Sequence, residues 1–172
     1  MPATQLELYT LGHSAHPIGA FLDLLQAYHI LMVADIRSHP ASRFHPQFNQ
    51  GRLVADLKDR GIRYLFLGND LGGRPKDPAC YPGGVLPPRD SKPPILPIYE
   101  KMIQREGFTR GIQQLLDTAH QARTAVLCSE ENPLACHRHW LIARYLTETQ
   151  PDVAIWHIRG DGSLVSKDQL RA

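Results

Sequence analysis

Short apolar runs alternate along this chain with segments whose apolar positions recur at helical spacing. Residues 6–11 (LELYTL) read as a buried strand ending at Gly12-His13-Ser14. Over residues 17–28, Ile18, Phe21, Leu22, Leu24 and Leu25 fall at helical intervals. Residues 30–36 (ILMVADI) form a near-continuous apolar run, as a strand covered on both faces requires. Leu53 and Leu57 predict a helix over about 50–60 that stops at Gly61, and residues 62–67 resume a strand pattern. After a turn at Leu71-Gly72-Gly73-Arg74, residues 75–98 hold eight of the fourteen prolines and predict a long loop within the domain. A short helix is expected over 98–103 and an amphipathic one over 108–122, with Phe108, Ile112, Leu115, Leu116 and Ala119 inward. Residues 124–128 read as a fourth strand. Asn132 and Pro133 are placed to cap and start a helix running on through 140–146. Residues 153–158 read as the last strand, followed by a tight turn at Gly160-Asp161-Gly162.

This alternation predicts an α/β fold: one three-layer, Rossmann-like domain over residues 1–172 with a mostly parallel sheet. In such sheets ligands collect beyond the carboxyl ends of the strands. The polar clusters at His13-Ser14, Asp35-Arg37, Gly72-Arg74 and Cys128-Glu131 all follow strands, so four loops are expected on one rim.

Composition narrows the setting. Hydrophobic residues make up 42% and charged residues 21%, and no run approaches the roughly 20 apolar residues that cross a bilayer. No membrane partner is expected. Residues 1–5 carry no basic stretch followed by an apolar run, so no secretory leader is read there. Three unevenly spaced cysteines suit a reducing compartment, which makes the cytoplasm the expected location. A net charge of +2 argues against a broad basic surface for nucleic acid. Fourteen arginines against five lysines favour forked recognition of phosphate or carboxylate.

The ordered motifs Thr10-Leu11-Gly12-His13-Ser14, Asp35-Ile36-Arg37 with Pro40 and Ser42, Gly61-Ile62 with Tyr64 and Leu71-Gly72-Gly73, and Leu127-Cys128-Ser129-Glu130 with Cys136-His137-Arg138 together resemble the domain of unknown function 488 (DUF488) family. The resemblance spans roughly residues 8–147. It implies a single α/β domain and brings no settled reaction, so mechanism has to be argued from the residues.

Several readings of those residues stand side by side. Cys128 ends a strand and Cys136 lies in or just before the first turn of the next helix, where a thiolate is favoured, so a cysteine nucleophile is a candidate; the alternative is that Cys128 is a small buried hydrophobe. Thiolate enzymes of the rhodanese and phosphatase type place an arginine about five residues past the cysteine, whereas nine residues separate Cys128 from Arg138. Glu130 and Glu131 are candidate proton-transfer groups with His13 or His137, Glu130 having the better claim because it follows the motif cysteine so closely. The alternative is electrostatic capping of the next helix. Cys128, Cys136, His137 and His13 offer a thiolate and imidazole set for zinc, but the spacing lacks the short pairs of a structural zinc site, so no metal is assigned and no cofactor is read. Arg37, Arg74 and Arg138 could converge with Ser14 and His137 on a phosphate, or bridge acidic loop residues such as Asp35.

The expectation is therefore an enzyme acting on a phosphate-bearing nucleotide or nucleic-acid component. Glu130, His13 and Cys128 would stand nearest the reaction, and Ser14, Arg37, Arg74, Arg138 and His137 would hold the anion. The alternative is a non-catalytic nucleotide or nucleic-acid binding module using the same rim. A small anionic ligand is the expected partner, with nucleic acid compatible; turnover and oligomeric state are not read from the sequence.

Overall fold

The computed structural model describes residues 5–170. The reading of Met1–Thr4 as free of a leader lies outside the described residues, as do the last two positions of the expected domain. Six strands form one sheet: β1 (Leu6–Gly12), β2 (Met32–Asp35), β3 (Arg63–Phe66), β4 (Thr124–Cys128), β5 (Val153–Ile158) and β6 (Leu164–Ser166). Their order is β3-β2-β4-β1-β5-β6, and every pairing is parallel except β5 with β6. The expected α/β, three-layer, mostly parallel architecture is what the chain adopts. β6 was not expected, because three residues are too few to display a period.

The unbroken apolar runs are explained by burial on both sheet faces, and every residue of β2 and β4 is buried. Helices α1 (Ile18–Ala27) and α2 (Gln50–Asp59) cover one face, with Phe21, Leu25, Leu53 and Leu57 packing on Tyr9, Leu11 and Leu127. The short α3 (Gly68–Leu71) and α4 (Tyr99–Ile103) join α5 (Glu106–Gln121) and α6 (Arg144–Thr149) on the other, where Leu71, Phe108, Leu115 and Leu146 meet Leu8, Val126 and Ile155. Among the described residues no helix is long and apolar enough to cross a membrane.

The segment over 75–98 is a long connection, as expected, but its first part is tied down. Two 3-10 turns, Pro78–Cys80 and Pro82–Gly84, form within it, and Cys80 and Tyr81 enter the core. The Ile98 N–H donates to the Cys80 carbonyl at 2.7 Å, closing the base of the connection.

The helix expected from Pro133 starts later. Asn132 accepts from the Leu134 N–H at 3.1 Å, but it caps only a 3-10 turn, Pro133–Ala135. Cys136 is extended (φ −130°, ψ 144°), which breaks the helical path; a π-helical turn, Arg138–Ala143, then leads into α6. The break matters because it falls beside the site.

Candidate functional site

β1 and β4 are neighbours, yet the helix that follows β1 lies on one face and the segments that follow β4 lie on the other. The boundary between these two strands is thus the switch point of the sheet, the place at which open α/β sheets bind ligands. Pairing persists past the strand ends: the His13 N–H donates to the Cys128 carbonyl at 3.0 Å and the Ser14 N–H to that of Ser129 at 2.8 Å. A Cβ at Gly12 would stand 1.7 Å from the Glu130 carbonyl oxygen, so only glycine lets the two loops approach this closely.

At the end of β4 and in the segment after it, Cys128, Cys136 and His137 present two sulfurs and an imidazole nitrogen, all within 4.8 Å of one another. His137 Nε2 lies 3.1 Å from the Ile36 carbonyl. A carbonyl only accepts, so Nε2 carries the proton and Nδ1 turns its lone pair toward the sulfurs. Nδ1 is 3.4 Å from Cys128 Sγ and 3.9 Å from Cys136 Sγ. Gly73 packs on the other side of the ring, where a Cβ would stand 2.7 Å from His137 Cγ. The end of β2 and the Gly72-Gly73 turn thus fix the imidazole from two directions.

The two thiols differ. Cys128 is only 5% exposed, yet its thiol is held below the usual range. The hydrogen bond from the Cys136 thiol is the main cause, opposed by desolvation and helped by the backbone N–H groups of Ser129 and Glu130 and the charge of Arg138. Cys136, the donor in that pair and itself buried, is pushed up to about 12. Of the two, Cys128 is the thiol disposed to ionise.

The expected anion-binding residues are placed less uniformly. Arg37 is buried and its guanidinium grips the carboxylate of Asp35, with Nη2 to Oδ2 at 2.7 Å, while Nη1 donates to the Phe48 carbonyl at 2.8 Å. Arg138 is fully buried: Nε donates to Thr10 Oγ1 at 3.2 Å, Nη1 to the Glu130 carbonyl and Nη2 to the Glu131 carbonyl at 2.7 Å. Each guanidinium nitrogen of both residues has a protein acceptor, so these two arginines help to build the rim. Arg74 is different. Its backbone N–H donates to Ser38 Oγ at 2.9 Å, while its side chain is exposed and makes no ion pair or hydrogen bond among the described residues. Ser14 is half-buried with its backbone in the left-handed region (φ 44°).

His13 is buried on the other side of the sheet, stacked on Phe48 with ring centroids 4.4 Å apart, and the structure does not bring it into the thiol cluster. Its Nδ1 donates to the Ser14 carbonyl at 2.9 Å, Nε2 has no partner among the described residues, and burial lowers its pKa to about 4. Of the two glutamates, Glu131 is committed to Arg159, with two contacts of 2.9 Å, and falls to about 2 mainly for that reason. Glu130 is exposed and its carboxylate has no partner among the described residues. Cys136, expected as a thiol at the start of the next helix and as a candidate zinc ligand but not as a catalytic residue, joins Cys128 and His137 in the cluster. The orienting carbonyl of Ile36 is backbone and leaves no signal in sequence.

The fold and the cluster define a three-layer α/β protein with two buried thiols and a half-buried imidazole near the switch point of its sheet. The chain belongs to the family described as Domain of unknown function DUF488, whose family model matches residues 17–146. That match begins after β1, so the Thr10–Ser14 motif lies outside it although the other motifs lie within. No curated protein and no solved structure gives a significant match.

Proposed function

We propose that this protein is an enzyme whose chemistry is centred on Cys128, Cys136 and His137, acting on a small phosphate-bearing substrate such as a nucleotide or nucleic-acid component. The observation that carries the catalytic reading is the oriented pair of Cys128 Sγ and His137 Nδ1 at 3.4 Å, with Nε2 anchored on Ile36. A reactive group, an adjacent proton acceptor and a third group that orients the acceptor is the arrangement of an activated site.

The anionic substrate class is supported by Arg74, a guanidinium without a partner among the described residues whose loop packs on His137 through Gly73. Glu130, exposed two residues after Cys128, is the group suited to move a proton at the substrate. Three free cysteines fit a cytoplasmic location.

The test is a thermal-shift series with inorganic phosphate, mononucleotides and short oligonucleotides on wild type and Arg74→Ala, followed by product analysis of whatever binds. A ligand that binds the native state raises apparent stability by mass action. We expect a nucleotide to raise Tm in wild type and clearly less in Arg74→Ala, and to be converted. A shift without conversion leaves a binding module; no shift with any phosphate-bearing ligand contradicts the substrate class.

A further inference from the structure

We propose that Cys128 Sγ, Cys136 Sγ and His137 Nδ1 bind a thiophilic divalent metal ion, with zinc the best match, leaving one coordination position open. The proposal rests on the reading of this cluster as a reaction centre and recasts its groups: with a metal bound, Cys128 and His137 Nδ1 serve as ligands, and the metal takes the place of the thiol and base pair as the reactive group. Spacing along the chain argued against such a site, because seven residues separate the two cysteines and His137 directly follows the second. The fold supplies what spacing does not: the end of β4 delivers one sulfur, and the extended Cys136 delivers the other next to the imidazole.

Zinc ligands at about 2.3 Å for sulfur and 2.0 Å for nitrogen, at tetrahedral angles, stand about 3.5 Å apart for a sulfur and nitrogen pair and about 3.8 Å for two sulfurs. The two sulfur to nitrogen distances here are 3.4 and 3.9 Å. The sulfurs are within 4.8 Å, so closing on a metal needs a movement of no more than about 1 Å. His137 meets the other requirement of a metal-bound histidine: its second nitrogen donates to a backbone carbonyl, which fixes the tautomer and aims the lone pair. Two soft sulfurs and one imidazole select zinc over magnesium or calcium, which take oxygen ligands. Among the described residues no fourth His, Cys, Asp or Glu belongs to the group. Three protein ligands with a vacant position for water or substrate is the pattern of a catalytic zinc site, whereas structural sites are closed by four.

The test uses the reduced, full-length protein stripped of metal, then titrated with zinc alone and separately with cobalt(II) alone. We expect one metal ion per chain by elemental analysis, and with cobalt a near-ultraviolet thiolate-to-metal charge-transfer band with the intense visible bands of a tetrahedral centre. Cys136→Ser and His137→Ala should each lower affinity at least tenfold, whereas Cys80→Ala, at a buried cysteine outside the cluster, should keep full stoichiometry. Circular dichroism of the metal-free variants separates a lost ligand from a lost fold, and the wild-type titration needs no variant at all. No stoichiometric metal on reduced wild type, metal retained by both Cys136→Ser and His137→Ala, or metal lost on Cys80→Ala overturns the proposal. Turnover by a metal-free protein that still needs Cys128 would overturn the metal and keep the catalytic reading; metal binding without any turnover would do the reverse.

Discussion

His137 reaches Cys128 across nine positions of sequence, its Nδ1 3.4 Å from Sγ, because its Nε2 is tethered at 3.1 Å to the Ile36 carbonyl beyond the end of β2. Two strands and the segment after β4 thus combine to aim one imidazole, and the consequences of that construction are testable in several places.

Arg138 and Arg74 should respond in opposite ways to loss of the side chain. Arg138→Ala removes a fully buried guanidinium that serves Thr10, Glu130 and Glu131, leaving unsatisfied carbonyls and a cavity. We expect a loss of about 3 kcal/mol or more. Arg74→Ala, at an exposed site, should change stability by no more than about 0.5 kcal/mol while weakening anion binding about tenfold or more, as losing one charge-assisted hydrogen bond implies. Urea denaturation reads the first pair of effects and ligand titration the last.

Asp35→Asn tests the buried pair. The Asp35 carboxylate accepts from Arg37 and from the Tyr64 hydroxyl at 2.7 Å, and has no exposure. Neutralising it leaves the Arg37 guanidinium buried and unpaired, which costs about 3–5 kcal/mol when one partner of such a pair is removed. A midpoint within experimental error of wild type in urea denaturation would contradict this assignment.

Gly12→Ala should be severe for a residue so small. The added methyl meets the Glu130 carbonyl and also Arg138 Nη1 at 2.9 Å, so the β1 and β4 loops must separate. We expect several degrees lost from Tm and faster amide exchange in the loop after β4. An unchanged Tm would show that the loops do not approach as described.

Acid should destabilise the protein from just below neutrality. Burial lowers His157 to about 3, with Arg138, His139 and Arg159 adding repulsion, and lowers His13 to about 4, where Asp35 opposes the effects of Arg37 and His45. Both bind protons more weakly in the folded chain than in the unfolded one. Their contribution is complete above about pH 6.5 and is lost as pH falls toward 3 to 4, at up to about 1.4 kcal/mol per pH unit for each histidine. Glu131, held at about 2 by Arg159, acts in the same direction but only below about pH 4.5. It is partly exposed, so its share is at most about 1 kcal/mol. Tm measured from pH 8 to 4 should be flat and then fall, and His157→Gln should flatten the slope between pH 6.5 and 4.5.

The parallel sheet and its covering helices were legible because apolar runs and 3.6-residue periodicity are local. The convergence of polar loops on one rim followed from topology. Which groups on that rim are free did not. Arg37, Arg74 and Arg138 look alike in sequence, and only packing reveals that two of them serve buried acceptors and one does not. His13 was read into the same cluster because it follows a strand, but its side chain turns to the opposite face of the sheet. That Cys136 stands on an extended break between two helical turns is not visible in the sequence, since such a break shows no periodic signal.

The central claim, that the cluster performs chemistry and does not merely bind, is tested most directly by the rate of product formation from the ligand found by thermal shift, compared between wild type and Cys128→Ser. The account predicts a loss of at least about 10²-fold in kcat, with ligand binding preserved and the fold intact, as removal of a reacting group requires. Equal rates in the two proteins, or no conversion of any ligand that binds wild type, would contradict it.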